Sequence, residues 1–286
     1  MLNRNIETFL GCEASFDEAA IVLFGAPFDS TTSYRPGTRF ASRAIRQESY
    51  GLETYSPYQK RDLTDYAIFD SGDLELPFGS PTEALRMIRG RTETILTHAK
   101  LPFLIGGEHL VTLGAVEAVF AKYPDLHIIH FDAHADLREE YLQNPLSHAC
   151  VIRRCWDLLG DGRIAQFGIR SGDRTEFDWN DGNRHVHTQL FDFTGLSQIL
   201  ETIRDKPVYL TVDLDILDPS TFPGTGTPEA GGVSFPALLE AILLVISQSN
   251  IVGCDVTELA PTLDPSGVST AVACKVVREM LLALGS

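Results

Sequence analysis

Residues 128–138 read IIHFDAHADLR. Ile128, Ile129 and Phe131 open the stretch as a buried strand does, and Asp132, His134 and Asp136 then fall at every second position. Apolar residues at consecutive positions suit a strand covered on both faces, the usual strand of a parallel sheet. Carboxylates at the end of such a strand cost several kcal/mol unless something cationic meets them. The stretch therefore sets two expectations, a parallel sheet and a cation at its rim.

The same pattern recurs along the chain. "IVLFGAP" (21–27) leads through a Gly/Pro/Arg-rich loop to the helical "RAIRQES", "LPFLIGGEH" to "LVTLGAVEAVFAKY", and "DLHIIHFDAHAD" to "SHACVIRRCWDLLG". "RIAQFGIRSGD", "PVYLTVDLDILD" and "NIVGCDVTELAP" each precede a helical stretch. Strands alternating with helices imply an α/β domain around a mainly parallel sheet. Ser234 suits an N-cap for "FPALLEAILLVIS", with Pro236 in the first turn where its missing N–H does no harm. Residues 52–78 are rich in turn formers and are expected to be irregular. No repeat, low-complexity tract or linker-like charge run divides residues 1–286, which are read as a single domain.

At 44% hydrophobic residues the chain can bury a sizeable core. Its longest apolar runs, such as 238–246, fall short of the roughly 20 residues that cross a bilayer, and no cationic segment precedes an apolar one at the start. The expectation is a soluble, cytoplasmic protein with no membrane partner. Cys12, Cys150, Cys155, Cys254 and Cys274 are scattered without a C-x-x-C pair, which fits reduced thiols. Cys254 and Cys274 read as small core hydrophobes. A net charge of -16, from 23 basic and 39 acidic residues, argues against nucleic acid and suits a cationic small substrate or bound metal ions.

Ligands of open parallel sheets bind beyond the carboxyl ends of the strands, and the polar motifs collect there. His109 follows "PFLIGGE", Asp132, His134 and Asp136 close the opening stretch, Asp213 and Asp215 close "YLTVDLDIL", and Glu258 follows "IVGCDVT". Four aspartates, about 4 × (-1), match two divalent cations, about 2 × (+2). Fully extended, Asp132 and Asp136 would stand about 13 Å apart, so the chain must curl as it leaves the strand. Carboxylate and imidazole without thiolate favour a hard ion such as Mn²⁺ over structural zinc, while nickel, iron and cobalt fit the same ligands. A pair of such ions about 3.5 to 4 Å apart or less lowers the pKa of a shared water and provides a hydroxide nucleophile near neutral pH. Each motif alone has a blander meaning: a lone D-x-D is usually a turn or cap, and His148 or Glu258 alone an ordinary polar residue. The metal site rests on their convergence.

Beyond this point the residues carry a family resemblance. "GGEH" (106–109), "FDAHADLR" (131–138), "SHACVIRR" (147–154), "TVDLDILDPSTFPGTGTPEAGG" (211–232) and "CDVTELAP" (254–261) resemble the ureohydrolase signatures of arginases and agmatinases, in order, over nearly the whole chain. "LETYSPY", "DSGDLELPFGSP" and "AQFGIRSGDRTEF" are similar to the bacterial agmatinases. The resemblance implies a three-layer α/β/α arginase-like fold around a mainly parallel sheet of about eight strands, with two Mn²⁺ per chain. It implies that Asp132 and Asp213 bridge the metals, that His109 and Asp136 complete one, and that His134 and Asp215 complete the other. His148 matches the family's proton-shuttling histidine, and Glu258 the carboxylate that holds the guanidinium. The implied reaction is attack of metal-bridging hydroxide on the guanidinium carbon, then collapse to urea and an amine that a histidine protonates. A homo-oligomer, trimer or hexamer, is also implied. Ala149 departs from the smaller residue frequent in the family and adds a methyl group near the substrate path.

Arginases typically recognise the α-carboxylate of arginine with a Ser-Gly-Asn segment shortly before the histidine that matches His148. Here that loop reads "EEYLQNPLSH" and lacks the segment. The loop resembles the agmatinase form, which makes agmatine the expected substrate, with putrescine and urea as products of a step in polyamine biosynthesis. Arg138, Arg153, Arg154 and Arg170 leave another guanidine open: guanidinobutyrate, guanidinopropionate, arginine or formiminoglutamate. Outside this class stand a single-metal polyamine deacetylase of related fold, which would not need His109 and Asp136, and a non-catalytic metal-binding relative, against which the intact His148 and Glu258 count.

Overall fold

The computed structural model describes residues 2–285. In the first half of the chain the elements are β1 (Ile21–Gly25), α1 (Ala41–Ser49), β2 (Tyr55–Ser56), β3 (Arg61–Asp62), β4 (Ile68–Asp73), α2 (Pro81–Thr97), β5 (Leu101–Ile105), α3 (Val111–Lys122) and β6 (His127–Phe131). They continue as α4 (Val151–Leu159), β7 (Ile164–Ile169), α5 (Arg174–Trp179), β8 (His187–Leu190), α6 (Leu196–Thr202), β9 (Pro207–Asp213), α7 (Phe235–Gln248), β10 (Asn250–Thr257) and α8 (Val268–Leu284). Eight strands form one sheet in the order β4-β1-β5-β10-β9-β6-β7-β8, all pairs parallel.

Helices cover both faces. Leu23 of β1 and Ile129 of β6 pack with Ile45 of α1, Leu238 of α7 and Cys274 of α8 in one core. Their neighbours Val22 and Ile128 point the other way, into a second core with Ile88 of α2, Val116 of α3 and Val151 of α4. Successive side chains alternate faces, so strands that are apolar throughout feed both cores, and the three-layer expectation holds. Ser234 caps α7 by accepting the Ala237 N–H, with Pro236 in the first turn.

One expectation fails. Residues 52–78 are not wholly irregular: β2 and β3 form an antiparallel hairpin, and β4 is an edge strand paired with β1. The sequence IFDSGD hides β4 because Asp and Gly disfavour strands. Asp70 is tolerated there because Arg46 of α1 reaches it with Nε to Oδ2 at 2.8 Å and Nη2 to Oδ1 at 3.0 Å, and also pairs with Asp73. The other edge strand, β8, is short and mostly half-exposed, and it too lacks an apolar signature.

The strand order matters most for the site. The chain leaves β5 for β6, skips two positions, and later fills them with β9 and β10. Four adjacent strands, β5-β10-β9-β6, thus carry His109, Glu258, Asp213 and Asp132 just beyond their carboxyl ends.

Candidate active site

His109 reaches the rim through a tight passage. A side chain at Gly107 would collide with the backbone of Phe28, so the chain crosses here only without one. His109 then stands just before α3, and its Nδ1 lies 3.0 Å from Asp132 Oδ2, 3.2 Å from Asp136 Oδ2 and 3.3 Å from Asp213 Oδ2. Its Nε2 faces the Thr211 hydroxyl at 2.9 Å, and that hydroxyl donates to Asp255 at 2.6 Å. Such outer partners fix which ring nitrogen is free to act as a ligand.

The expected curl after β6 is present. Asp136 has φ 53°, in the left-handed region that non-glycine residues rarely occupy. The segment is held by Ala135 N–H donating to the Ser171 carbonyl and Ser171 N–H to the Ala133 carbonyl. Asp132 then sits between two imidazoles: Oδ2 faces His109, and Oδ1 lies 3.5 Å from His134 Nδ1. His134 Nδ1 is also 2.9 Å from Asp215 Oδ2. Asp213 closes β9, and its Oδ1 accepts the Asp215 N–H at 2.9 Å, turning the D-x-D inward. The six residues named from the sequence are therefore brought together.

Among the described residues no lysine or arginine pairs with Asp132, Asp136, Asp213 or Asp215. Burial pushes Asp213 well above the usual carboxylate range, helped by the charges of Asp215 and Asp132. Asp215 is raised for the same first reason. Burial opposes ionisation of Asp132 too, but the imidazoles of His109, His130 and His134 outweigh it and hold its pKa well below the ordinary value. Burial also works against a charged His109, yet the carboxylates of Asp132, Asp136 and Asp213 overcome it and raise the imidazole well above its usual value.

The donor set fits divalent cations. His109 Nδ1 and Asp215 Oδ2 are buried without a hydrogen-bond partner, which is costly for atoms that no ligand uses. Ligand atoms of Asp132, His134 and Asp215 lie within 4.8 Å of one another, as do those of His109, His130 and Asp132. His130 was not singled out from the sequence. It lies two residues before Asp132, on the same face of β6, with its Nε2 2.8 Å from Asp132 Oδ2. A histidine inside an otherwise apolar strand was the available signal.

A cleft of about 160 Å³ opens onto this cluster, lined among others by Glu258, His148, Ala149, Tyr141, Arg138 and Glu176. Glu258 follows β10 with φ 65°, and its Oε1 accepts the His109 N–H at 2.7 Å. Backbone strain of this kind persists only where surrounding structure enforces it. Burial, then the charges of Asp215 and Glu108, raise the Glu258 carboxyl well above the usual range. His148 opens the turn into α4, with Nδ1 3.2 Å from the Ser147 hydroxyl and its ring edge-on to Tyr141. Burial lowers its pKa against the opposing pull of Asp136.

Three of the four arginines noted in the sequence point elsewhere. Arg153 stacks on Trp179, 4.1 Å from the ring centre, and Arg154 pairs with Asp157. Arg170 spends its N–H groups on carbonyls that include those of Asp215, Ile216 and Glu229. Arg138 lines the cleft, stacked on Tyr141 at 4.8 Å, with Nε 3.4 Å from the Glu176 carboxylate. All five cysteines are buried free thiols, in keeping with the sequence expectation.

Comparison with known proteins locates this architecture. Residues 19–283 match the arginase family. The chain is 45% identical over 278 residues to an agmatinase of Bacillus subtilis (strain 168), covering 96% of both chains. It is 39% identical over 261 residues to an N(1)-aminopropylagmatine ureohydrolase of Thermococcus kodakarensis, covering 89% of this chain and 88% of that one. The crystal structure of an agmatine ureohydrolase of Thermoplasma volcanium superimposes with a TM-score of 0.89 at 33% identity, covering 98% of this chain and 94% of that one.

Proposed function

The chain belongs to the arginase family, and from that premise we propose that it is an agmatinase, which hydrolyses agmatine to putrescine and urea with two Mn²⁺. That it is a hydrolase of guanidino compounds follows from its agmatinase relatives at 45% identity over most of the chain. The observation that carries the mechanism is the position of Asp132, one oxygen toward His109 and the other toward His134. His109 and Asp136 would hold one cation, His134 and Asp215 the other, and Asp132 and Asp213 both. When bound, the cations neutralise the carboxylates and lower the pKa of a water so that it can attack at neutral pH.

The protein's own groups do the rest. Glu258 accepts hydrogen bonds from the planar guanidinium and orients its carbon toward the cluster. His148, which lines the cleft with its Nδ1 beside the Ser147 hydroxyl, holds the proton for the departing amine. Agmatine is favoured over a carboxylate-ended guanidine because the cleft's arginine, Arg138, is already met by Glu176 and Tyr141. We assign a single domain in the cytoplasm and, on the resemblance alone, a trimer or hexamer; analytical ultracentrifugation reads the oligomer directly.

Two measurements test this function. Urea release from a panel of agmatine, N(1)-aminopropylagmatine, guanidinobutyrate, guanidinopropionate and arginine is expected to be fastest with agmatine; a preference for guanidinobutyrate removes that substrate and leaves the guanidino hydrolase. Metal analysis is expected to give two ions per chain, and one ion would favour the deacetylase-like alternative.

A further inference from the structure

Glu108 is buried and takes no part in the chemistry above, yet its carboxylate is saturated with hydrogen bonds from one short loop. Thr31 N–H donates to Oε2 at 2.8 Å, the Thr31 hydroxyl donates to Oε1 at 2.5 Å, and the Thr32 hydroxyl donates to Oε2 at 3.2 Å. The loop follows β1 and is pinned at its base by Glu108 N–H donating to the Phe28 carbonyl at 2.8 Å. Further along, Arg35 ties it to the carbonyls of Thr225 and Gly226. The Thr31 hydroxyl, having given its proton to Glu108, offers its lone pairs to the other side, where it accepts the His148 backbone N–H at 3.0 Å.

From this chain of contacts we infer that Glu108 and Thr31 are positioning residues, which set the place of His148 over the cleft through the Thr31 hydroxyl. The inference rests on the proton-donating role given to His148 above. The hydroxyl is oriented by a fixed acceptor, so it presents lone pairs, not a proton, to the His148 N–H. His148 follows a loop in which Leu142 and Gln143 have φ 50° and 64° and Leu142 is exposed; Cys150 N–H returns to the Ser147 carbonyl to form the turn, and the Thr31 hydroxyl holds the start of that turn. Misplacement of a reacting group by about 1 Å can cost about a hundredfold in rate.

The test is a double-mutant cycle on urea release, with whichever guanidine the wild type turns over fastest. Thr31→Val keeps the shape and removes the hydroxyl; the expected result is a fall in kcat of roughly 10- to 100-fold, KM within about threefold, and unchanged bound metal. Thr31→Ser restores the hydroxyl and is expected to recover most of kcat. In a His148→Ala background, Thr31→Val is expected to cost nothing further, because the group it positions is gone. Multiplying losses in the double variant, serine behaving like valine, or a loss of bound metal, which would route the effect through His109, each overturn the inference. Glu108→Gln, with circular dichroism to report folding, repeats the test from the other end of the link. An inactive wild type, or an unaffected His148→Ala, would instead count against the proposed function, so the two failures are distinguishable.

Discussion

Asp70 in β4 and Asp132 beyond β6 are equally buried, both with no measurable exposure, and the protein meets them differently. Asp70, with Asp73, is met by the guanidinium of Arg46, itself 2% exposed. Burial works to lower the Arg46 pKa, but the two aspartates outweigh it and raise it. Around Asp132, Asp136, Asp213 and Asp215 the only cationic side chains that pair with them among the described residues are imidazoles, which carry no permanent charge. Where the fold closes its own electrostatics the acid is structural. Where it leaves several carboxylates and two histidines facing one another, the balance is left for something that binds.

The largest expected effect breaks the rim. Asp213→Ala removes a carboxylate assigned to both cations, and urea release should fall by at least about 10⁴-fold with loss of bound metal. Metal-free stability in urea should stay level or rise, because a buried carboxyl whose raised pKa costs folding free energy at neutral pH is gone. A metal-free variant much less stable than the metal-free parent would show that Asp213 is structural, and the contrast with Asp70 would collapse.

Next comes the converse change. Arg46→Met should cost about 3–5 kcal/mol of folding stability, since it strands Asp70 as an uncompensated buried charge. The folded fraction should keep its metal content and its kcat. A variant of unaltered stability but impaired turnover would reverse the assignment of the two clusters. A smaller loss, about 10²-fold in kcat with metals retained, is expected for His148→Ala, and a comparable fall in kcat/KM for Glu258→Gln. Unchanged urea release in either would remove that residue's role.

The same contrast explains what was legible in the sequence. The strands β1, β5, β6, β7, β9 and β10 are visible because burial on both faces demands unbroken apolar runs such as "IVLFG" and "FLI". β4 is hidden because its acids are paid for by Arg46, 24 residues away in sequence, a contact that no local pattern announces. The rim ligands are visible for the opposite reason: among the described residues Asp132, Asp136, Asp213 and Asp215 have no lysine or arginine partner, and an unexplained carboxylate after a buried strand stands out. His130 offers only the weak signal of a histidine in a strand, and the Thr31 link to Glu108, which spans 77 residues, offers none until the fold brings the two together.

The subtlest way to sharpen the comparison is to count protons. In the metal-free protein burial raises the Asp213 and Glu258 carboxyls well above the usual range, which favours their protonated forms. His109 is raised as well, its carboxylate neighbours outweighing burial, which favours the imidazolium. A cation needs carboxylate oxygens and a neutral imidazole, so its binding must expel protons from groups with raised pKa values. The sign follows: apparent affinity for Mn²⁺ should strengthen as pH rises toward these pKa values and weaken as it falls. The number of protons released per chain should be greater than zero. Calorimetric titration of the metal-free protein in buffers of different ionisation heat reads that number. A binding heat independent of buffer would mean that the rim carries its charge unaided, as the Arg46 cluster does. Arg46→Met, whose cluster keeps its guanidinium charged at all such pH values in the parent, should release the same number of protons as the parent protein.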